Sequence, residues 1–270
     1  MRNESHRSRP KVSFESSFVY ATCPKCQYQR GLTDTAPADV CPACGIVFSK
    51  WVKRQFTASE TAPAAESESS ITNRLRRLAD YLFYVEPKID PVFFYGRAVL
   101  YAGLLVWGWS FIMMDFKIDP SAIGNSWMHN INLVFHEAGH VLFRPFGWFM
   151  TILGGTLGQL LMPLVVLLTF LIKNRDNFGA SVGLWWLGQS FMDTAPYIDD
   201  ALVQKLVLLG GRTGADAPGN HDWNNILGEF NVLEKCRDYA TIADVTGTVL
   251  MIIAFLWGGY ILYRQYQMRR

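Results

Sequence analysis

The sequence predicts an all-α polytopic membrane protein with four to five membrane helices, preceded by a small four-cysteine module. Three observations carry this. Apolar runs near the length a bilayer requires recur from about residue 98 onward, 14 of the 25 Lys and Arg fall within residues 1–97, and two Cys-x-x-Cys pairs stand close to the N-terminus. A chain that is 50% hydrophobic and 18% charged would suit one soluble domain if the residues were spread evenly. The uneven division points instead to a membrane.

The first element is the segment 13–54, which holds Cys23-Pro-Lys-Cys26 and Cys41-Pro-Ala-Cys44-Gly45, separated by 14 residues. Each pair brings two thiolates together, and two pairs complete the tetrahedral four-sulfur shell that zinc prefers. Two knuckles at this spacing resemble a zinc ribbon. Gly45 would allow the turn past the second knuckle, and Ile46, Val47, Phe48 and Trp51 would form the core. So short a domain buries little surface, so metal binding is expected to supply much of its folding free energy. A closed four-thiolate shell leaves no open position, which implies a structural zinc and a docking role toward a cytoplasmic protein partner. The fifth cysteine, Cys236, reads as an ordinary buried thiol.

Residues 55–70 are small, polar and acidic, a flexible-linker composition. Over 71–97, Arg74, Arg76, Arg77 and Lys88 alternate with Leu75, Leu78, Tyr81, Leu82 and Phe83 at helical spacing. This predicts a basic amphipathic helix lying at the membrane interface. Apolar segments follow at about 98–114, 127–143, 150–172, 179–198 and 245–262 within a membrane domain expected over 98–270. If all five cross from a cytoplasmic N-terminus, Lys173, Arg175 and the basic tail land outside, against the positive-inside tendency. Both land inside if the segment 127–143 enters without crossing. The loop 194–244, with eight acids against four bases, then lies on the outer side.

The net charge of +2 and the lack of a dense basic run exclude nucleic acid as an expected partner. The first 20 residues lack the apolar core and cleavage site of a secretory signal, so the N-terminal ribbon is expected in the cytoplasm.

The chemistry-bearing motif is His136-Glu137-Ala138-Gly139-His140, a match to His-Glu-x-x-His. On a helix, residues i and i+4 share one face, so both imidazoles can reach one zinc while Glu137 takes a proton from water. His129, Asn132, Leu133, His136 and His140 form one stripe, which makes His129 and Asn132 candidate substrate or oxyanion contacts. Polar groups gathered on one face of an apolar helix look into a cavity or another helix. A di-iron desaturase or hydroxylase would need about eight histidines, and the chain has five.

On this motif the region from about Ala98 to Leu262 resembles the site-2 protease family of intramembrane zinc metalloproteases. More loosely, the whole chain looks like bacterial membrane proteins that join a zinc ribbon to such a core. The resemblance implies His136 and His140 as metal ligands and Glu137 as general base. It also implies an aspartate ligand on a later helix. A catalytic zinc needs three protein ligands, and the candidates cluster in Asp193-Thr-Ala-Pro196-Tyr-Ile-Asp199-Asp200. The family carries Asn, then Pro three residues on, then Leu-Asp-Gly. Here Asp193 occupies the Asn place, Pro196 matches, and the Leu-Asp-Gly is missing. Asp193 is favoured by its depth within an apolar segment, Asp200 and Asp199 by order along the chain, and His221 is a further alternative.

Gly154, Gly155 and Gly158 form a small-residue face that could seat its helix against the metal helix, and Pro163 could kink it. The function expected is hydrolysis of peptide bonds in membrane-protein or peptide substrates within or near the bilayer of a bacterial inner membrane. It uses one catalytic and one structural zinc. The alternatives are a non-catalytic adaptor that binds metal and a partner through its ribbon, and a metal-handling or transport protein.

Overall fold

The structure, a computed structural model, describes residues 21–48, 51, 68–86 and 89–269, with the side chains of 68–70 excepted. The ribbon reading over 13–20, 49–50 and 52–54, the linker over 55–67, and Lys88 lie outside these residues. The chain divides into two compact units, 1–73 and 74–270.

In the first unit the two cysteine pairs build the same corner twice. The Cys23 carbonyl accepts from the Gln27 N–H and the Cys41 carbonyl from the Gly45 N–H, each at 2.9 Å. Gln27 and Gly45 both take positive φ, 59° and 66°. A bridge closes each knuckle, Thr22 with Gln29 and Val40 with Val47. Gly45 adopts this conformation at no steric cost, while Gln27 bears the strain a Cβ brings. Cys23, Cys41 and Phe48 form the core with Ile46 against it.

From Glu68 onward the regular structure is helical, the first helix beginning before the second unit. Helix α1 spans Glu68–Leu82, α2 Pro91–Ile112, α3 Trp127–Phe143, α4 Trp148–Leu168, α5 Asn177–Asp199, α6 Asp222–Glu229 and α7 Cys236–Gln267. Among the described residues there is no strand beyond isolated bridges. The helix expected over 71–97 therefore occurs in two pieces. Its first part ends at Leu82, and Pro91 opens α2, where its fixed φ suits a first helical position and Asp90 accepts the Val92 N–H at 2.8 Å.

Among the described residues three helices are long and apolar enough to cross a membrane: Pro91–Ile112, Trp148–Asn174 and Leu233–Gln267. The expectation of four to five narrows to these. Helix α3 has only 17 residues and carries the polar motif. Helix α5 has 23 residues, of which 16 are buried, including Asn177, Gln189, Ser190, Asp193 and Thr194. A helix wrapped by protein need not be apolar all round, so α5 lacks the hydropathy of a lipid-facing span. Helix α2 differs, leaving Val92, Phe93, Val99, Val106 and Trp109 exposed.

Glycine contacts set the packing around the motif. A Cβ on Gly154 would stand 2.7 Å from the Gly139 carbonyl, so α3 and α4 meet backbone to backbone. Helices α5 and α7 meet likewise at Gly188 and Gly247. Pro163 lies within α4 without ending it.

Candidate metal centre

Helix α3 begins at Ser126, whose hydroxyl accepts the His129 N–H at 3.2 Å, and its 3.6-residue period puts His136 and His140 on one side. Their rings lie edge to face with centroids 4.8 Å apart. A single row of α4, residues 151, 155 and 159, serves both. His140 Nδ1 donates to the Thr151 carbonyl at 2.8 Å, and His136 Nδ1 faces Gln159 Oε1 at 3.3 Å. With both Nδ1 atoms engaged as donors, both Nε2 atoms present lone pairs to the same space. Between these contacts sits Gly155. A Cβ there would stand 2.5 Å from His136 Nε2 and 2.6 Å from His140 Nε2, so only hydrogen leaves room for the paired imidazoles.

The third donor is Asp222. Its Oδ2 lies 3.0 Å from His136 Nε2 and 3.3 Å from His140 Nε2. The three side chains offer ligand atoms that all fall within 4.8 Å of one another, a set able to hold a metal ion. Two imidazole nitrogens and one carboxylate oxygen leave a fourth tetrahedral position open, the arrangement catalytic sites use.

Asp222 arrives from a polar stretch by way of its neighbours. His221 caps α6, with Nδ1 accepting the Asn224 N–H at 3.2 Å, while its Nε2 faces Asp200 Oδ2 at 3.4 Å. Asp200 in turn accepts the N–H groups of Lys205 at 2.8 Å and Leu206 at 2.9 Å. The Tyr197 hydroxyl accepts the Asp222 N–H at 2.9 Å. His221 is fully buried; its Nδ1 is taken by the cap, and its Nε2 stands within ion-pair distance of Asp200 without a hydrogen bond.

The other residues expected as third ligand lie elsewhere. Asp193 Oδ1 pairs with His129 Nδ1 at 2.9 Å, and its Oδ2 accepts from Gln159 Nε2 at 2.8 Å and Asn132 Nδ2 at 3.1 Å. Its buried charge is met by donors rather than by the cation that depth alone suggested. Asp199 takes two hydrogen bonds from Arg237, at 3.0 and 2.9 Å. Asp200 and His221 hold each other. The structure thus assembles the centre from Asp222, and Asp193, Asp199, Asp200 and His221 surround or support it.

Asn132 and His129 also belong to this network, Asn132 buried and His129 partly exposed. Asn132 is 1% exposed; its Oδ1 accepts from Trp186 at 2.8 Å and Ser190 at 3.3 Å, and its Nδ2 also donates to Gln189 at 2.7 Å. No donor of Asn132 is left for an oxyanion. Glu137, half-buried beside the two histidines, has no hydrogen bond or ion pair among the described residues.

In the first unit the four cysteines form a second group able to hold a metal ion. Cys23 and Cys44 Sγ lie 3.8 Å apart, and Cys26 and Cys41 Sγ 3.7 Å. Burial works to raise the Cys23 thiol, but the backbone N–H groups of Cys26 and Lys25 and the neighbouring thiols outweigh it and lower it to about 6. The Tyr28 backbone favours the Cys26 thiolate, yet burial and the thiols of Cys44, Cys23 and Cys41 push it up to about 12. Close thiols share their protons unequally until a cation replaces them.

Comparison with known protein families, curated proteins and solved structures returns no match for this chain.

Proposed function

We propose that the protein is a membrane-embedded zinc metalloprotease that hydrolyses peptide bonds within or near the bilayer. The observation carrying this reading is the convergence of His136, His140 and Asp222 on one point, with Glu137 following His136 on the same helix. His136 and His140 donate through Nε2 and Asp222 through its carboxylate. The Nδ1 contacts to Gln159 and the Thr151 carbonyl are the outer hydrogen bonds that ligating histidines require. A zinc ion held there would supply Lewis acidity toward the scissile carbonyl. Glu137, uncommitted to any partner, takes a proton from the attacking water. It returns that proton to the amine as the peptide C–N bond breaks. Tyr197, the Asp200–His221 brace and the α4 row hold the donors without touching the reacting atoms.

The cysteine ribbon is proposed to hold the structural zinc and to dock a cytoplasmic partner, with the three long apolar helices anchoring the protein in a bacterial inner membrane. The test uses wild type and Glu137→Gln, purified with equal metal content and reconstituted with membrane-protein substrates. Wild type is expected to cleave, and the variant to lose about 10²- to 10⁴-fold in rate. Equal cleavage by both would remove the protease reading. Metal retention with no cleavage by either would favour the adaptor.

A further inference from the structure

A continuous hydrogen-bonded chain runs from the protein surface to the metal centre. His129 Nδ1 meets Asp193 Oδ1 at 2.9 Å, Gln159 Nε2 donates to Asp193 Oδ2 at 2.8 Å, and Gln159 Oε1 faces His136 Nδ1 at 3.3 Å. His136 Nε2 then faces Asp222. Asp193 and Gln159 are both 5% exposed, so water has little access to either.

We propose that Asp193 is a positioning residue that acts through Gln159 to fix which nitrogen of His136 faces the metal, and so sets the metal affinity of the centre.

This rests on reading His136, His140 and Asp222 as a metal site, and it is independent of proteolysis. Hydrogen-bond polarity dictates the assignment. A carboxylate only accepts, so the group facing Asp193 must be the amide N–H₂ of Gln159. The other end of that amide is then its oxygen, which can only accept. The His136 nitrogen meeting it must therefore carry the hydrogen, and the lone pair is left on Nε2, facing the centre. Direct carboxylate–histidine pairs do this in one step. Here an amide is interposed, and it transmits the same constraint because its two ends differ. Without an acceptor at 193, only the longer 3.4 Å contact of Gln159 Nε2 to the Ser190 carbonyl opposes a half-turn of the amide that presents N–H₂ to His136 Nδ1. The hydrogen would then move to Nε2, and that nitrogen could no longer bind a cation.

Variants at the two positions should therefore depend on each other. Asp193→Leu removes the acceptor and with it the direction, whereas Asp193→Asn can keep its oxygen toward Gln159 and Asn132 and turn its N–H₂ to His129 Nδ1. Gln159→Glu keeps an acceptor toward His136 but sets two carboxylates against each other. Combining Gln159→Glu with Asp193→Asn restores order, since the carboxylate introduced at 159 accepts from both His136 Nδ1 and the new amide at 193. The Asn132 contact, at 3.1 Å in the wild type, and the Ser190 carbonyl, 3.4 Å from position 159, stay mismatched.

The experiment loads the full-length protein and the four variants with ¹¹³Cd and combines NMR with chelator competition. The four-sulfur ribbon and the nitrogen/oxygen centre give separate resonances, so the ribbon serves as internal control. Asp193→Leu and Gln159→Glu are each expected to weaken metal binding at the nitrogen/oxygen centre by about 10- to 100-fold and to shift or broaden its resonance, with Asp193→Asn close to the wild type and the ribbon signal unchanged. The double variant is expected to regain at least about tenfold over Gln159→Glu, a coupling that independent structural damage would not produce. Unchanged affinity in Asp193→Leu, or a double variant no better than Gln159→Glu, would overturn the inference while leaving the metal site standing. A wild type showing only the four-sulfur resonance would overturn the metal-site reading and this inference with it.

Discussion

His136 Nε2 and Asp222 Oδ2 stand 3.0 Å apart although 86 residues separate them in sequence. An eight-residue helix outside the three long apolar helices thus completes a site begun on α3. Asp222→Ala is expected to leave about one metal ion per chain where the wild type holds about two, because two imidazoles alone make a poor shell. Metal analysis after gel filtration checks this. Full retention would sink Asp222 as a ligand.

Gly155→Ala places a methyl group where the two Nε2 atoms converge. Such overpacking costs about 1–3 kcal/mol. The variant should lower Tm and lose the centre's metal together. Gly147→Ala provides the contrast: it lies beyond the site with open space around it, but at a φ of 97° that strains any side chain, so it should lower Tm and spare the metal.

The acidic residues near the end of α5 separate by partner. Asp199→Asn loosens an ion pair to Arg237, whose side chain is 63% exposed, and should cost under about 1 kcal/mol with metal retained. Asp200→Asn weakens the support of His221 and of two loop N–H groups, and should cost about 1–3 kcal/mol. It should also weaken metal binding, since His221 precedes Asp222. Denaturant melts with parallel metal titration distinguish the two.

Metal affinity at the ribbon should climb with pH, because zinc displaces thiol protons. Cys23, lowered to about 6, gives up its proton near neutrality, whereas Cys26, pushed up to about 12, does not. Affinity should therefore keep rising above pH 9 instead of levelling near the ordinary thiol value of about 8.5. Chelator competition from pH 6.5 to 10 measures this; a plateau at 9 would contradict it.

The ribbon and the histidine pair were legible because their ligands are close in sequence, where spacing reports geometry directly. The long helices were legible because apolar runs leave few alternatives. Asp222 was not. Depth pointed to Asp193, since a carboxylate inside an apolar segment needs compensation. The sequence does show that need, but not whether His129, Asn132 and Gln159 meet it or a metal does. His221, the further alternative, stands one residue short, because a helix cap and a ligand carry the same polar signature. The interposed Gln159 left no signal beyond being a polar residue in an apolar run.

One α4 row contacts both histidines: the carbonyl of 151, the bare Cα of 155 and the amide of 159. Only the last two depend on residue identity, so the row condenses to Gly-x-x-x-Gln, beginning 15 residues after the second histidine of His-Glu-x-x-His. That pair of short words is a search key derived from contact instead of ancestry. It can pick out distant kin of this chain whose sequences have otherwise drifted beyond alignment, and it rejects chance His-Glu-x-x-His matches, which have no reason to carry the second word.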